Sequence, residues 1–324
     1  MVQSIGVIGL GVIGHGIASN LRKKLPRDTA FHMFDVNKAV CDRFVQEYTQ
    51  YGSVNICRSV KDLASQSEIV ISSLPSTKIV RDVYLKGDGV LAATPSPNRL
   101  LIECSTIDID DTIEIGNKIM QAGLGTFVDA TVSGGAWDAR EGQLAFMVGH
   151  PTSVDKTGHQ IHSILSLVGV PSKIRFCGKL GMGQVAKIAH NYVCIVKLLT
   201  ATEGMALGIR YGIDKKVLWQ CMTDGAANSW VMGLEQPVLG IVDDAPSSRN
   251  FERAFAVRLG LKDLGIAMRA AEKVGLEPSV GNVAFEAFRR VDEDERTRDL
   301  DHSSIWLHVT GMLDEWFKEH KAKL

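Results

Sequence analysis

Paired cysteines are the first thing this sequence lacks. Cys41, Cys57, Cys104, Cys177, Cys194 and Cys221 are scattered singly over 324 residues with no C-x-x-C pair, which suits reduced intracellular thiols and neither a disulfide framework nor a zinc site. The nine histidines, including His15, His190 and His302, fall into no metal-ligand spacing, so no metal is expected. An excess of one charge is also missing. Lys and Arg number 36 against 37 Asp and Glu, and a formal charge of −1 offers no field to hold nucleic acid or an anionic membrane. Lys197 and Glu203 interrupt the longest apolar stretch before it reaches the ~20 residues of a membrane helix, so a soluble chain is expected. The first β-branched run starts almost at Met1, so no signal or transit peptide is expected. The expected partner is a small molecule.

What is present is an alternation of strands and helices. Ser4-Ile5-Gly6-Val7-Ile8 reads as a strand, a glycine turn follows, and Ile13, Ile17, Ala18 and Leu21 then recur at helical spacing. Further strands are expected at 30–34, 68–74, 99–103 and 125–130, with helical stretches such as 112–121 between them. Such alternation implies an α/β fold, a Rossmann-type doubly wound parallel sheet with helices on both faces. After about Gly178 the β-branched runs thin out and helical periodicity takes over, around 215–222, 254–274 and 280–291. The spacing therefore predicts a dinucleotide-binding domain over 1–178 and an all-α domain over 179–324. Length agrees, since ~150 residues per domain is usual. A helix over about 182–211 would be ~45 Å long and is expected to join the two. The charged stretch 292–299 reads as an exposed loop or helix end.

Gly9-Leu10-Gly11-Val12-Ile13-Gly14 is a G-x-G-x-x-G turn in its full context, with a strand before it, a helix after it and Asp35 at the end of the next strand. Gly9 permits the tight turn, Gly11 lets the backbone approach a pyrophosphate, and Gly14 lets the helix pack closely on the strand. The helix N-terminus then faces the phosphates with unpaired N–H groups. Asp35 would accept both ribose hydroxyls and repel a 2′-phosphate, so NAD is favoured over NADP, with Lys38 nearby to soften the preference.

A second glycine-rich turn, Gly181-Met182-Gly183-Gln184, runs into Lys187 and Asn191. Four residues apart on a helix, these two project from one face, expected to differ from an apolar stripe of Val185, Ile188, Ala189, Tyr192, Val196 and Leu199. His190 points about 100° away from Asn191 and is expected to pack structurally. Ser133-Gly134-Gly135, taken alone, is a surface turn.

Together these residues resemble the β-hydroxyacid dehydrogenase family, which includes 3-hydroxyisobutyrate dehydrogenase and tartronate semialdehyde reductase. Four blocks in order carry the likeness over nearly the whole chain: the glycine turn with Asn20-Leu21; Asp129-Ala130-Thr131-Val132-Ser133-Gly134-Gly135 continuing to Gly142-Gln143-Leu144; the Lys187 block; and Phe255, Leu259 and Lys262-Asp263-Leu264. The resemblance implies hydride transfer between NAD and the β-carbon of a small 3-hydroxy acid. Lys187 would exchange the proton and Asn191 would orient the reacting group. Ser133, Gly134 and Gly135 would hold the substrate carboxylate, with Trp137 and Asp263 beside it. Leu10, Val12, Ile13, Leu74, Pro75, Thr106, Phe255 and Lys262 would join the glycines and Asp35 around the cofactor. A homodimer or homotetramer is implied too.

Departures from the family pattern bear on the substrate. Thr131 replaces a common proline, Trp137 adds a large aromatic just past the carboxylate loop, and Asn228, Ser229 and Trp230 stand in a variable region. The alternatives are an imine or semialdehyde reductase of the same fold and a non-catalytic dinucleotide-binding scaffold; Lys187 argues against the imine reductase and the scaffold. Cytoplasmic residence is expected, with the terminal Ala322-Lys323-Leu324, close to a peroxisomal address, as the alternative.

Overall fold

The computed structural model describes residues 2–320; the terminal Ala322-Lys323-Leu324 lies outside them. The first half runs β1 (Ser4–Ile8), α1 (Val12–Lys24), β2 (Ala30–Phe34), α2 (Lys38–Tyr48), β3 (Asn55–Ile56), α3 (Val60–Gln66), β4 (Ile69–Ser72) and α4 (Thr77–Leu85). It continues with β5 (Leu100–Glu103), α5 (Ile109–Gln121), β6 (Thr126–Ser133), α6 (Ala136–Glu141), β7 (Leu144–Val148), α7 (Lys156–Leu165) and β8 (Gly169–Phe176). Helices follow: α8 (Met182–Arg210), α9 (Lys215–Thr223), α10 (Trp230–Gly233), α11 (Val257–Lys273), α12 (Ser279–Glu293), α13 (Ile305–Thr310) and α14 (Leu313–His320).

The eight strands form one sheet in the order β3-β2-β1-β4-β5-β6-β7-β8. Pairing is parallel from β3 through β6; β7 then runs antiparallel to β6, and β8 parallel to β7. Alternation along the strands explains the two covered faces. Ile5, Val7, Ile69, Ile71, Leu100, Ile102 and Val128 point one way, into a core shared with Ile17 and Leu21 of α1, Phe44 of α2 and Ile161 of α7. Ile8, Val70, Leu101 and Phe127 point the other way, against Leu63 of α3, Val80 and Tyr84 of α4 and Ile115 of α5. The sequence expectation missed β3, which has two residues, and β7 and β8. Pro171, Lys173 and Arg175 blur the β8 pattern, and an edge strand tolerates them because one side of it makes no ladder.

The chain divides into two compact units, Met1–Lys187 and Ile188–Leu324, so the division falls inside α8 and not at the glycine turn ahead of it. Among the described residues the second unit is helical apart from one isolated bridge, Ala256 to Asp301. Its cores gather Ile195, Leu198, Leu264, Phe288 and Ile305, and then Met205, Met232, Phe251, Trp306 and Trp316.

Two expectations about α8 need correction. It is long and apolar enough to cross a membrane by length and composition, with mean hydropathy 1.4 over its richest window, because averaging absorbs Lys197 and Glu203. The buried stripe is also a different one. Gln184, Lys187, Ile188, Asn191, Ile195, Leu198, Thr202 and Met205 are buried, whereas Val185, Ala189 and Val193 are exposed. Lys187 and Asn191 thus share the buried face with apolar residues. A helix that is apolar nearly all round gives its periodicity no single direction.

Candidate active site

The first unit builds a cradle from the glycine turn. Gly9 takes φ +88°, where an L side chain is strained, and a Cβ there would also meet the Ser73 carbonyl. A Cβ on Gly14 would run into the Gly9 carbonyl, so only glycine lets α1 leave the turn this tightly. Gly11 is different: no atom lies within 4 Å of where its Cβ would project, so the space over the α1 N-terminus is open. As N-cap, Gly11 brings no side chain to the first-turn N–H groups, which suits them to phosphate oxygens. At the end of β2, Asp35 Oδ2 accepts from the Leu10 N–H at 2.7 Å and Oδ1 from the Asn37 N–H at 2.8 Å. The carboxylate is thereby fixed beside the turn, with lone pairs left for a ribose diol. Val12 is exposed and Ile13 half-buried in the first turn of α1. These residues fit a dinucleotide.

The ends of β4 and β5 complete this edge. Leu74 donates its N–H to Ser105 Oγ at 2.7 Å, and Pro75 and Thr106 each follow one residue later. Beneath them lies a buried polar network that no residue spacing signals. Glu103 Oε1 accepts from the Ser105 N–H at 2.5 Å and Oε2 from Ser72 Oγ at 2.7 Å; Ser72 Oγ also meets the Tyr84 hydroxyl at 2.7 Å. Burial pushes the Glu103 carboxyl up to about 7 against the pull of the Ser105 and Ser72 hydrogen bonds, and the nearby Asp129 adds to the rise. Asp129 binds the start of α8, accepting from the N–H groups of Gly181 at 2.8 Å and Gln184 at 2.9 Å. Burial raises its pKa as well, opposed by those backbone donors.

Ser133 ends β6, and Gly134 follows at φ +124°. Gly135 caps α6, and its N–H donates to Asp138 Oδ2 at 3.0 Å. The proposed carboxylate loop therefore holds a carboxylate of its own, which engages the Gly135 N–H. Asp138, three residues past Gly135, is not among the residues expected at this loop. Trp137 is 67 % exposed on α6. The helix itself is anchored to α1, where Asn20 Nδ2 donates to the carbonyls of Ala139 at 3.0 Å and Arg140 at 2.9 Å. Asn20, prominent in the first sequence block, thus anchors the helix that follows the Ser133-Gly134-Gly135 turn.

Along α8, Lys187 is 9 % exposed and Asn191, one turn on, 5 %. In the second unit Asn191 Nδ2 donates to Asp263 Oδ2 at 2.6 Å, and Lys262 Nζ lies 3.0 Å from Asp263 Oδ1. Asp263 therefore orients Asn191 and Lys262. His190 is exposed, and its Nδ1 lies 2.9 Å from Asn191 Oδ1, so its expected packing role gives way to a polar contact with the candidate residue. Phe255 is held by its N–H to Asp301 Oδ2 at 2.9 Å and by an edge-on contact with His302, ring centroids 5.2 Å apart. Buried His302 has Nε2 3.2 Å from Glu235 Oε1. Burial pushes this imidazole down, but the charges of Glu235 and Asp301 and the bond to Glu235 lift it to about 9. Among the described residues no cluster of three or more His, Cys, Asp or Glu could hold a metal.

A strand, glycine turn and helix with an acidic residue at the next strand end define a dinucleotide-binding α/β domain, here followed by a helical one. Residues 4–177 match the family described as the NAD binding domain of 6-phosphogluconate dehydrogenase, and residues 181–309 that described as NAD-binding of NADP-dependent 3-hydroxyisobutyrate dehydrogenase. The chain is 34 % identical to mitochondrial 3-hydroxyisobutyrate dehydrogenase of Rattus norvegicus, over 94 % of this chain and 86 % of that one. It is 32 % identical to the NAD-dependent L-serine dehydrogenase of Pseudomonas aeruginosa, over 89 % and 92 %. A solved structure of Mycobacterium tuberculosis 3-hydroxyisobutyrate dehydrogenase with L-serine superposes with a TM-score of 0.81 at 29 % identity, covering 95 % and 99 %. An imine reductase from Pseudomonas sp. shares the fold at 15 % identity and a TM-score of 0.58. This chain belongs to the β-hydroxyacid dehydrogenase family. It is an NAD-dependent oxidoreductase.

Proposed function

We propose that the protein oxidises the hydroxyl at the β-carbon of a small 3-hydroxy carboxylic acid, of the 3-hydroxyisobutyrate or serine type, and reduces the corresponding carbonyl in reverse. The observation that carries this reading is the pairing on α8 of a largely buried Lys187 with a buried Asn191 whose amide is fixed by Asp263. NAD, when bound, supplies a hydride acceptor at nicotinamide C4. Lys187 takes the hydroxyl proton as the carbon–hydrogen bond breaks and returns it in the reduction. Asn191, which cannot rotate without losing its bond to Asp263, orients the reacting group. Ser133 and Gly134 hold the substrate carboxylate, and Asp138 limits what Gly135 adds.

The test is a panel of 3-hydroxyisobutyrate, L-serine, tartronate semialdehyde, threonate and aryl-serines, followed by NADH absorbance in both directions. Lys187→Ala should lower kcat about 10²- to 10⁴-fold, the range of general acid–base catalysis, while NAD still binds. Unchanged turnover in that variant would sink the mechanism.

A homodimer or homotetramer is part of the proposal, supported by the exposed apolar side chains of Val193, Leu207 and Val217 in the helical unit. Sedimentation would decide it. The proposed address is the cytoplasm, and a fluorescent fusion with and without the last three residues would show whether they redirect the chain.

A further inference from the structure

Gln184, in the first turn of α8, ties that helix to the loop that follows β5 and to Asp129 of β6. Its side chain is fully buried and uses both ends of its amide. Nε2 donates to the Ser105 carbonyl at 2.7 Å, and Oε1 accepts from the Ile107 N–H at 3.2 Å. The amide thus pairs with residues on either side of Thr106, much as a neighbouring strand would. Ser105 is in turn bonded to β4 through Leu74 and to β5 through Glu103. The backbone of the same helical turn is held to β6: Gly181 and Gln184 donate to Asp129, and Thr131 Oγ1 donates to the Gly183 carbonyl at 3.0 Å. A Cβ on Gly183 would lie 2.7 Å from Asp129 Oδ2 and would also meet the Met147 carbonyl, so this turn sits directly on the sheet edge. Lys187 lies three residues after Gln184, on the same buried face.

We propose that Gln184 is a positioning residue, whose amide clamps the 105–107 loop to the first turn of α8 and so holds Thr106 and Lys187 in one register. The inference rests on the reading of Lys187 as the proton-exchanging group. The clamp explains why a polar side chain occupies a site that an aliphatic residue of equal length would fill. A displacement of about 1 Å between the groups that place cofactor and proton relay costs on the order of 10²-fold in rate.

Gln184→Met keeps the length and removes both hydrogen bonds. The turnover number is measured per NAD-binding site, counted by titration, so that misfolded protein does not enter it. The expected result is a fall in kcat of about 10²-fold, with KM for NAD within about threefold of wild type. Amide exchange should accelerate together in peptides covering 105–107 and 183–187. A kcat per site within about twofold of wild type would overturn the proposal. Loss of NAD binding would overturn it too, because Gln184 would then be part of the folding of the cradle. If the wild-type protein turns over no acid of the panel, the functional reading fails by itself. Exchange then decides the clamp: acceleration confined to one of the two segments removes it.

Discussion

Asp35 does two things with one carboxylate. Each oxygen accepts a backbone N–H, from Leu10 and from Asn37, which leaves lone pairs that a ribose diol could use. Asp35→Ala should therefore weaken NAD binding by about tenfold or more, the worth of one hydrogen bond to a charged group, and narrow the preference over NADP. Titration with both cofactors checks this, and an unchanged ratio would take Asp35 off the ribose. Glu103 makes a prediction of a different kind. Its carboxyl is raised by burial to about 7, so the folded state holds a proton that the unfolded state releases at the ordinary value of 4.5. That contribution to stability is greatest below about pH 4.5 and is lost as pH rises towards 7. Glu103→Gln, which cannot ionise, should flatten the thermal stability profile across that window. A profile with wild-type slope would show that Glu103 does not titrate there.

At the scale of elements, what could be read from the sequence was what is local. The turn at Gly9, Gly11 and Gly14 and the pairing of Lys187 with Asn191 are written in spacings of a few residues, and both elements formed where expected. The supports beneath them were illegible because they join distant positions. Gln184 meets a loop 79 residues earlier, and Asn20 reaches carbonyls 119 and 120 residues later. No period links such pairs, and amide side chains carry no signature at a distance. The buried face of α8 was misjudged because apolar residues surround it. Asp263 was placed beside the substrate, while its oxygens turn out to meet Asn191 and Lys262. Asp263→Ala would leave the Asn191 amide without that acceptor in a buried setting, a loss of about 1–3 kcal/mol. We expect a lower kcat and a lower Tm, both measurable on the purified variant, and an unchanged kcat would remove Asn191 orientation from the mechanism.

For the molecule as a whole, the buried pair of His302 and Glu235 sets an alkaline limit. The imidazole is lifted from 6.5 to about 9, because Glu235 and Asp301 outweigh the desolvation that lowers it. Its contribution is fully present below about pH 6.5 and is lost as pH rises through 9. Melting temperature should decline over that range, and His302→Gln should remove the decline while lowering stability at neutral pH. An identical slope in the variant would rule the pair out as its source.

Strand β6 outruns its parallel neighbour. Glu103, the last residue of β5, pairs with Asp129, yet β6 continues through Ser133, paired there with β7 at Ala130–Val148, Thr131–Met147, Val132–Phe146 and Ser133–Ala145. Four residues of strand span ~13 Å, so the Ser133 loop is a cantilever projecting past the β5 edge and braced along its length by an antiparallel strut. Stiffness at the proposed substrate end therefore depends on β7, a strand to which no chemistry is assigned. Shortening buried Phe146 to alanine should soften the overhang and raise KM for the hydroxy acid more than KM for NAD.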